Sequence, residues 1–182
     1  MNEILDVKQI AKQAGKLYQA KQYEEAAKQF QAAAEAYQAR GNSSDAAEML
    51  NNSSVAYLQS GNHQAALECV DGTEKVFEEL GDLKHAAIAY ANRGAALEAL
   101  GKHEEAIADY QKSGDLFKET GEDEMRLQVL KSMSALQLKS NKTLEALASM
   151  QIGVDGLKKP KPKYWLLKKL LKLPFQLLNK KF

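Results

Sequence analysis

Three histidines, one cysteine and twenty-four carboxylates are the residues whose spacing would first reveal a metal site, a proton relay or a nucleophile. Their spacing speaks against all three chemistries. His63 and His103 each stand two residues after a glycine and forty residues apart, so they follow a repeat and not a site. His85 has no second ligand four residues on, where a metal-binding helix would place one. The pairs Glu24–Glu25 and Glu104–Glu105 recur where apolar-periodic segments begin, and carboxylates there complement the positive end of a helix dipole. Cys69, within "ALECV", reads as a small core residue. No zinc spacing, Gly-rich phosphate loop or nucleophile elbow occurs. The sequence predicts a non-enzymatic protein with no cofactor and no metal.

What positions these residues is legible in the composition and the period. The 182 residues are 45% apolar and 27% charged, ordinary for a globular chain long enough to bury a core. The opening "MNEILDVKQI" lacks a basic start followed by an apolar run, so no signal peptide is expected. No stretch approaches the roughly 18 apolar residues of a spanning helix. A lone cysteine suits a reducing compartment, so the expected location is the cytoplasm. The net charge of +1 hides a division. Up to residue 157, sixteen basic residues against twenty-four acidic ones leave −8, while nine lysines and no acid from Lys158 onward give +9. Such blocks mark an interaction tail.

Gly41, Gly61, Gly81, Gly101 and Gly121 fall every twenty residues, and Asn141 continues the series. Both residue types tolerate the left-handed conformation that ends a helix. A polar residue follows each stop: Asn42, Asn62, Asp82, Lys102, Glu122 and Lys142. Between stops the apolar spacing is helical, as in Ala106, Ile107, Tyr110 and Phe117, and all three prolines lie in the tail. The spacing predicts eight helices, at 3–20, 23–40, 43–60, 63–80, 83–100, 103–120, 123–140 and 143–157. Connections of two or three residues make neighbours antiparallel. A fixed period of this kind signals stacked hairpins.

The hairpins resemble tetratricopeptide repeats, most closely over "YANRGAALEALGKHEEAIADYQKSGDLF", Tyr90 to Phe117. There the small Gly94, the turn Gly101, Ala106 and Tyr110 take the family's places. The second repeat keeps Leu50, Ser54, Tyr57, Gly61 and Ala66. The first keeps Ala14, Tyr23, Ala26, Phe30 and Ala33, and the fourth keeps Leu130, Ser134, Ala146 and Met150 but departs at Gln137. The resemblance spans roughly residues 8–157, with about 40 residues per repeat instead of the usual 34. Such long helices are similar to the extended repeats of NSF-attachment proteins, kinesin light chains and polarity adaptors. The resemblance implies a right-handed superhelical solenoid of antiparallel hairpins with a concave groove for a peptide or helix of a partner protein.

In that register Asn52 and Asn92 each stand nine residues before a turn glycine and face the groove. An asparagine there offers a donor and an acceptor to a partner backbone; the competing reading is two solvated polar residues on a helix face. Lys12 and Ser132 occupy the place in the outer repeats, so the ladder has two rungs. Glu48, Gln59 and Lys131 complete the expected groove. The carboxylate clamp of chaperone-binding relatives is missing, since Ala11, Gly15 and Ile88 stand where Lys, Asn and Lys would be needed.

The tail "KYWLLKKLLKLPFQLLNKKF" is unlike the rest. On a helix its leucines, Phe175 and Tyr164 share one face of roughly 200°, with lysines opposite, Trp165 in the polar arc and Lys181 on the apolar side. Pro174 should kink or divide that helix. Three roles compete: a helix lying in an anionic membrane interface, a cap on the last hairpin, and docking on a partner or a second copy's acidic groove. An arc wider than the roughly 100° stripe of one-sided packing favours the membrane, as does a "KKPKPK" spacer. Lysine-only basicity without stacking aromatics speaks against nucleic acid.

The expectation is thus an all-α adaptor: four hairpins over 1–157, a Lys/Pro linker at 158–163 and a cationic amphipathic helix at 164–182. Trp165, Leu166, Leu167, Lys168, Lys169, Leu170, Lys172, Leu173, Phe175 and Leu177 are its attachment residues, at the inner face of a membrane or on a larger complex. The alternative is a soluble scaffold whose tail is only a cap or a self-association element.

Overall fold

The computed structural model describes the backbone of residues 2–158 and 160–179 and the side chains of residues 7–158 and 160–172. Among these residues the protein is all-α, a succession of helix hairpins without strands. In chain order they are α1 (Asn2–Gln19), α2 (Tyr23–Gln38), α3 (Ser43–Ser60), α4 (His63–Val70) and α5 (Thr73–Glu79). Then come α6 (Leu83–Ala99), α7 (His103–Glu119), α8 (Asp123–Lys139), α9 (Thr143–Asp155) and α10 (Pro162–Asn179). The chain forms two compact units, residues 1–109 and 110–182, dividing within α7.

Every twentieth residue is left-handed: Gly41, Gly61, Gly81, Gly101 and Gly121 have φ between 72° and 84°, and Asn141 has φ 59°. The same conformation occurs at Lys21, φ 62°, a position the glycine spacing could not reveal. Each stop is closed by a bond from the next amide to the carbonyl five residues back: Gln22 to Leu17, Asn42 to Tyr37, Asn62 to Tyr57, Asp82 to Phe77, Lys102 to Leu97, Glu122 to Phe117 and Lys142 to Gln137, all within 3.1 Å. This is the Schellman pattern, with a large side chain at the acceptor position in six of seven cases. The following polar residue then starts the next helix. Asn42, Asn62 and Asp82 accept the amides of Asp45, Ala65 and His85, as N-caps do.

The expected single helix over 63–80 is instead two. Asp71 is extended (ψ 126°) and Gly72 is left-handed (φ 86°), so α4 stops and α5 starts on a new axis. Gly72 lies off the twenty-residue beat, which is why the period passed over it. The break has a consequence in packing: it turns Asp71 and the buried Glu74 toward Arg93 of α6. Arg93 also forks onto Asp109 of α7, through Nε at 2.7 Å and Nη2 at 2.8 Å, and stacks on the Tyr90 ring at 5.2 Å. The Asp109 hydrogen bonds hold its guanidinium even more firmly protonated than usual, against the opposing effect of burial.

Around this lock the first unit packs on alanines. Ala14, Ala26, Ala27, Ala33, Ala56, Ala66 and Ala96 have no exposed surface, and Phe30, Tyr57 and Met49 fill the space between helices. Cys69 belongs to this core, held by Ser53 and Gln31, and burial pushes its thiol pKa up. In the second unit α8 and α9 approach closely at Gly153, where a Cβ would come within 2.9 Å of Leu127. Gln137, the departure from the repeat pattern, is buried and accepts the Ser149 hydroxyl at 2.8 Å.

The last helix also differs from expectation. It begins at Pro162, not Tyr164, because proline at a first helical position gives up an amide that has no partner anyway. It continues unbroken past Pro174 to Asn179. Its arc of apolar residues is divided in use. Tyr164, Leu167 and Leu171 pack on Leu127 of α8 and on Leu147, Met150 and Val154 of α9, while Trp165, Leu166 and Leu170 are more than half exposed.

Two outcomes check this reading. Lys21→Gly should stabilise the protein by about 0.5–1 kcal/mol, since glycine adopts the left-handed stop without a Cβ penalty; chemical denaturation measures it. Arg93→Ala should cost about 3–5 kcal/mol by leaving buried Glu74 and Asp109 unpaired. Adding Glu74→Gln should return part of that loss, and a double variant no more stable than the single one would contradict the lock.

Candidate functional site

The first unit carries a cleft of about 160 Å³ walled by α3, α5 and α6. α3 supplies Glu48, Asn51 and Asn52, α5 supplies Phe77, and α6 supplies His85, Ile88 and Asn92. The periodicity explains the company: Glu48 and Asn52 are four residues apart on α3, and His85, Ile88 and Asn92 follow at three and four on α6, the spacing of one helix face. The break at Gly72 brings Phe77 in as the floor.

Three of the five expected groove residues, Glu48, Asn52 and Asn92, meet here. Gln59 does not; it is exposed near the end of α3. Lys131 lines a separate pocket in the second unit with Glu124, Gln128, Leu157, Lys161 and Tyr164. Ile88, one of the residues that breaks the carboxylate clamp, lies within the cleft and gives it an apolar side.

The hydrogen bonding is directional. Asn51 is buried and donates to the Ala47 carbonyl at 3.1 Å and to Thr73 Oγ1 at 2.9 Å. Thr73 Oγ1 in turn donates a hydrogen bond to the Val70 carbonyl at 2.7 Å. Asn51 Oδ1 then accepts from Asn92 Nδ2 at 3.1 Å. Asn92 is thereby oriented by the core, with one of its amide protons engaged, and it lines the cleft. Asn52, half-buried beside it, makes no side-chain hydrogen bond among the described residues. One amide is fixed from behind and its neighbour is open to a partner. Sequence reading missed Asn51 and Thr73, whose contact crosses 22 residues.

At the cleft's rim His85 lies against Phe77, ring centroids 5.3 Å apart. Its Nδ1 sits 2.7 Å from Asp82 Oδ2, while its backbone amide bonds Asp82 Oδ1 at 3.1 Å. Burial, the largest single effect, raises the Asp82 pKa, but the two His85 hydrogen bonds together with the charges of His85 and Lys84 outweigh it and hold the carboxyl below its usual value. Among the described residues no group of His, Cys, Asp and Glu is arranged to hold a metal. The cleft's chemistry is therefore that of amide hydrogen bonds beside an apolar floor, with one carboxylate at the mouth.

Because the folded Asp82 has the lower pKa, its contribution to stability is complete above the unfolded value, near 3.9, and disappears as pH falls through the folded one. The stability difference between wild type and Asp82→Ala should accordingly be constant near neutrality and shrink below about pH 4. Denaturation midpoints across an acid series measure this, and a difference that grows on acidification would contradict it.

No curated protein matches the chain. A family model described as soluble NSF attachment protein matches residues 3–173, nearly the whole of the helical array and much of α10. That family is one of α-helical adaptors that bind protein partners without enzymatic activity. With its repeated hairpins and this extent of match, the protein belongs to the soluble NSF attachment protein family.

Proposed function

We propose that this chain is a protein-docking adaptor whose α3–α6 cleft holds a peptide or helix of a partner protein, while α10 attaches the array to a membrane surface or a larger complex. The observation that carries the first part is the pairing of Asn92, preset by Asn51 and Thr73, with the open Asn52. Two adjacent amides over an apolar floor suit a segment that presents backbone polar groups and one apolar side chain. Glu48 at the mouth favours a basic residue on that segment. The family's name describes attachment to NSF, and the class of that role, docking between proteins, is what we carry to this chain.

For α10 the support is the tail's charge of +9 from Lys158 onward, its exposed Trp165, Leu166 and Leu170, and the flanking lysines Lys169 and Lys172. Lys168 and Leu167, expected to share that attachment, are engaged within the protein, Lys168 with Asp155 at 2.9 Å. The side chains of Leu173, Phe175 and Leu177 lie outside the described residues. No helix among the described residues is long and apolar enough to cross a membrane, so attachment would be interfacial. The alternative, a scaffold whose α10 is only a cap, has in its favour the packing of Tyr164, Leu167 and Leu171.

Affinity capture followed by binding titration tests the cleft. Each lost amide contact is worth roughly 0.5–1.5 kcal/mol, so Asn52→Ala plus Asn92→Ala should weaken the captured partner roughly 5- to 150-fold. Glu48→Lys should weaken a basic partner further. A partner held with undiminished affinity by the double variant would remove the cleft from the function.

A further inference from the structure

Large hydrophobic side chains stand exposed at scattered points of the described surface, but three of them, Trp165, Leu166 and Leu170, gather on one helix. At 100° per residue Leu166 and Leu170 adjoin Leu167 at one edge of the stripe seated on α8 and α9, and Trp165 lies beyond them, across Lys169. Lys169 falls within the outer ridge and lies over the Trp165 ring at 3.8 Å. Lys163 and Lys172 are exposed at its flanks. Leu166 and Leu170 share a shallow apolar depression of about 270 Å³ with Lys163, Tyr164 and Leu167.

A single wide apolar face would have to choose between the protein and another phase. A face seated at one edge and exposed at the other does not. The inner stripe is covered, and Lys168 at 2.9 Å from Asp155 secures it from the side. The outer stripe faces solvent, where a helix that only capped the array should be polar. We infer that α10 remains seated on α8 and α9 while its outer ridge of Trp165, Leu166 and Leu170 enters the interface of an anionic lipid bilayer, with Lys163, Lys169 and Lys172 at the headgroups. This rests on the reading of α10 as the attachment element and adds how it attaches.

The occupant follows from chemistry and size. From Gly156 onward there is no acidic residue, so nothing on the helix opposes an anionic surface, and lysines near such a surface are attracted to it. Tryptophan joins an apolar body to a polar N–H, which suits the headgroup boundary. A second copy is the poorer fit. Three side chains on a convex ridge, partly exposed, can bury a few hundred Å² at most, well short of the roughly 800 Å² per partner of a stable interface.

Trp165 is the chain's one tryptophan, which makes the full-length protein its own probe. Mixed phosphatidylcholine–phosphatidylserine vesicles should shift its emission to the blue and carry the protein in flotation, with pure phosphatidylcholine doing neither and added salt reversing both. Leu166→Glu plus Leu170→Glu should lower vesicle partitioning by at least roughly tenfold and leave the thermal midpoint unchanged, since neither residue packs inward. Carbodiimide coupling of Lys168 to Asp155, verified by mass spectrometry, locks the helix in place, and the locked chain should bind vesicles as the free chain does. If the free chain binds and the locked chain does not, the helix leaves its seat to attach, and the inference fails while the attachment reading stands. If folded protein binds neither vesicle, or Trp165 shifts only through self-association, both fall.

Discussion

A left-handed residue every twenty positions is the constraint on which this structure depends. At each one the chain stops a helix, closes it with an amide bond five residues back, and starts the next helix within two residues. So short a reversal leaves no room for sideways drift, and within each unit the paired helices are pressed together. That closeness explains the fully buried alanines and the Gly153 approach to Leu127: larger side chains there would separate the axes. The seven stops are not chemically alike. Five are glycine, Asn141 is the next best choice, and Lys21 holds the conformation against its own preference, an indication that hairpin geometry and not local propensity decides.

The second consequential departure from straight helix is the break at Asp71–Gly72. It serves opposite sides of the first unit. On one side Thr73 supports Asn51, and Phe77 closes the floor of the cleft. On the other, Asp71 and Glu74 meet Arg93, which Asp109 holds from α7. A buried carboxylate is tolerable only where a guanidinium reaches it, so the break and the charge cluster stabilise one another. The cleft's polar residues are thus positioned by an element whose own position is fixed by ion pairs behind it.

Much of this was legible in the sequence, and the limits have physical causes. The glycine beat located the helix ends, because only residues tolerant of positive φ terminate helices cheaply. The same logic was blind at Lys21, where tertiary packing overrides residue preference. The "DG" at 71–72 is a turn signal that the twenty-residue period does not register. Asn52 and Asn92 are placed on one face through the register of the repeat resemblance. The partner that orients Asn92 is not, since Asn51 reaches it across 41 residues of chain. The Arg93 cluster was equally invisible: helical spacing says which residues share a face and nothing about which faces meet.

The tail shows the same limit in another form. A helical wheel sums every apolar demand on a helix into one arc, and an arc of roughly 200° looks like a single broad face. Seated on α8 and α9, that arc is covered at one edge, by Tyr164, Leu167 and Leu171, and exposed at the other, at Leu166 and Leu170, with Trp165 beyond it. Capping and attachment are then compatible demands on one element. A cap buried on one side stays folded without lipid, which avoids the ordering cost a free tail would meet on reaching a surface. The outer ridge is held ready in its helical form, and no acidic residue from Gly156 onward offsets its lysines. Whatever meets that ridge meets a preformed surface fixed to the last hairpin.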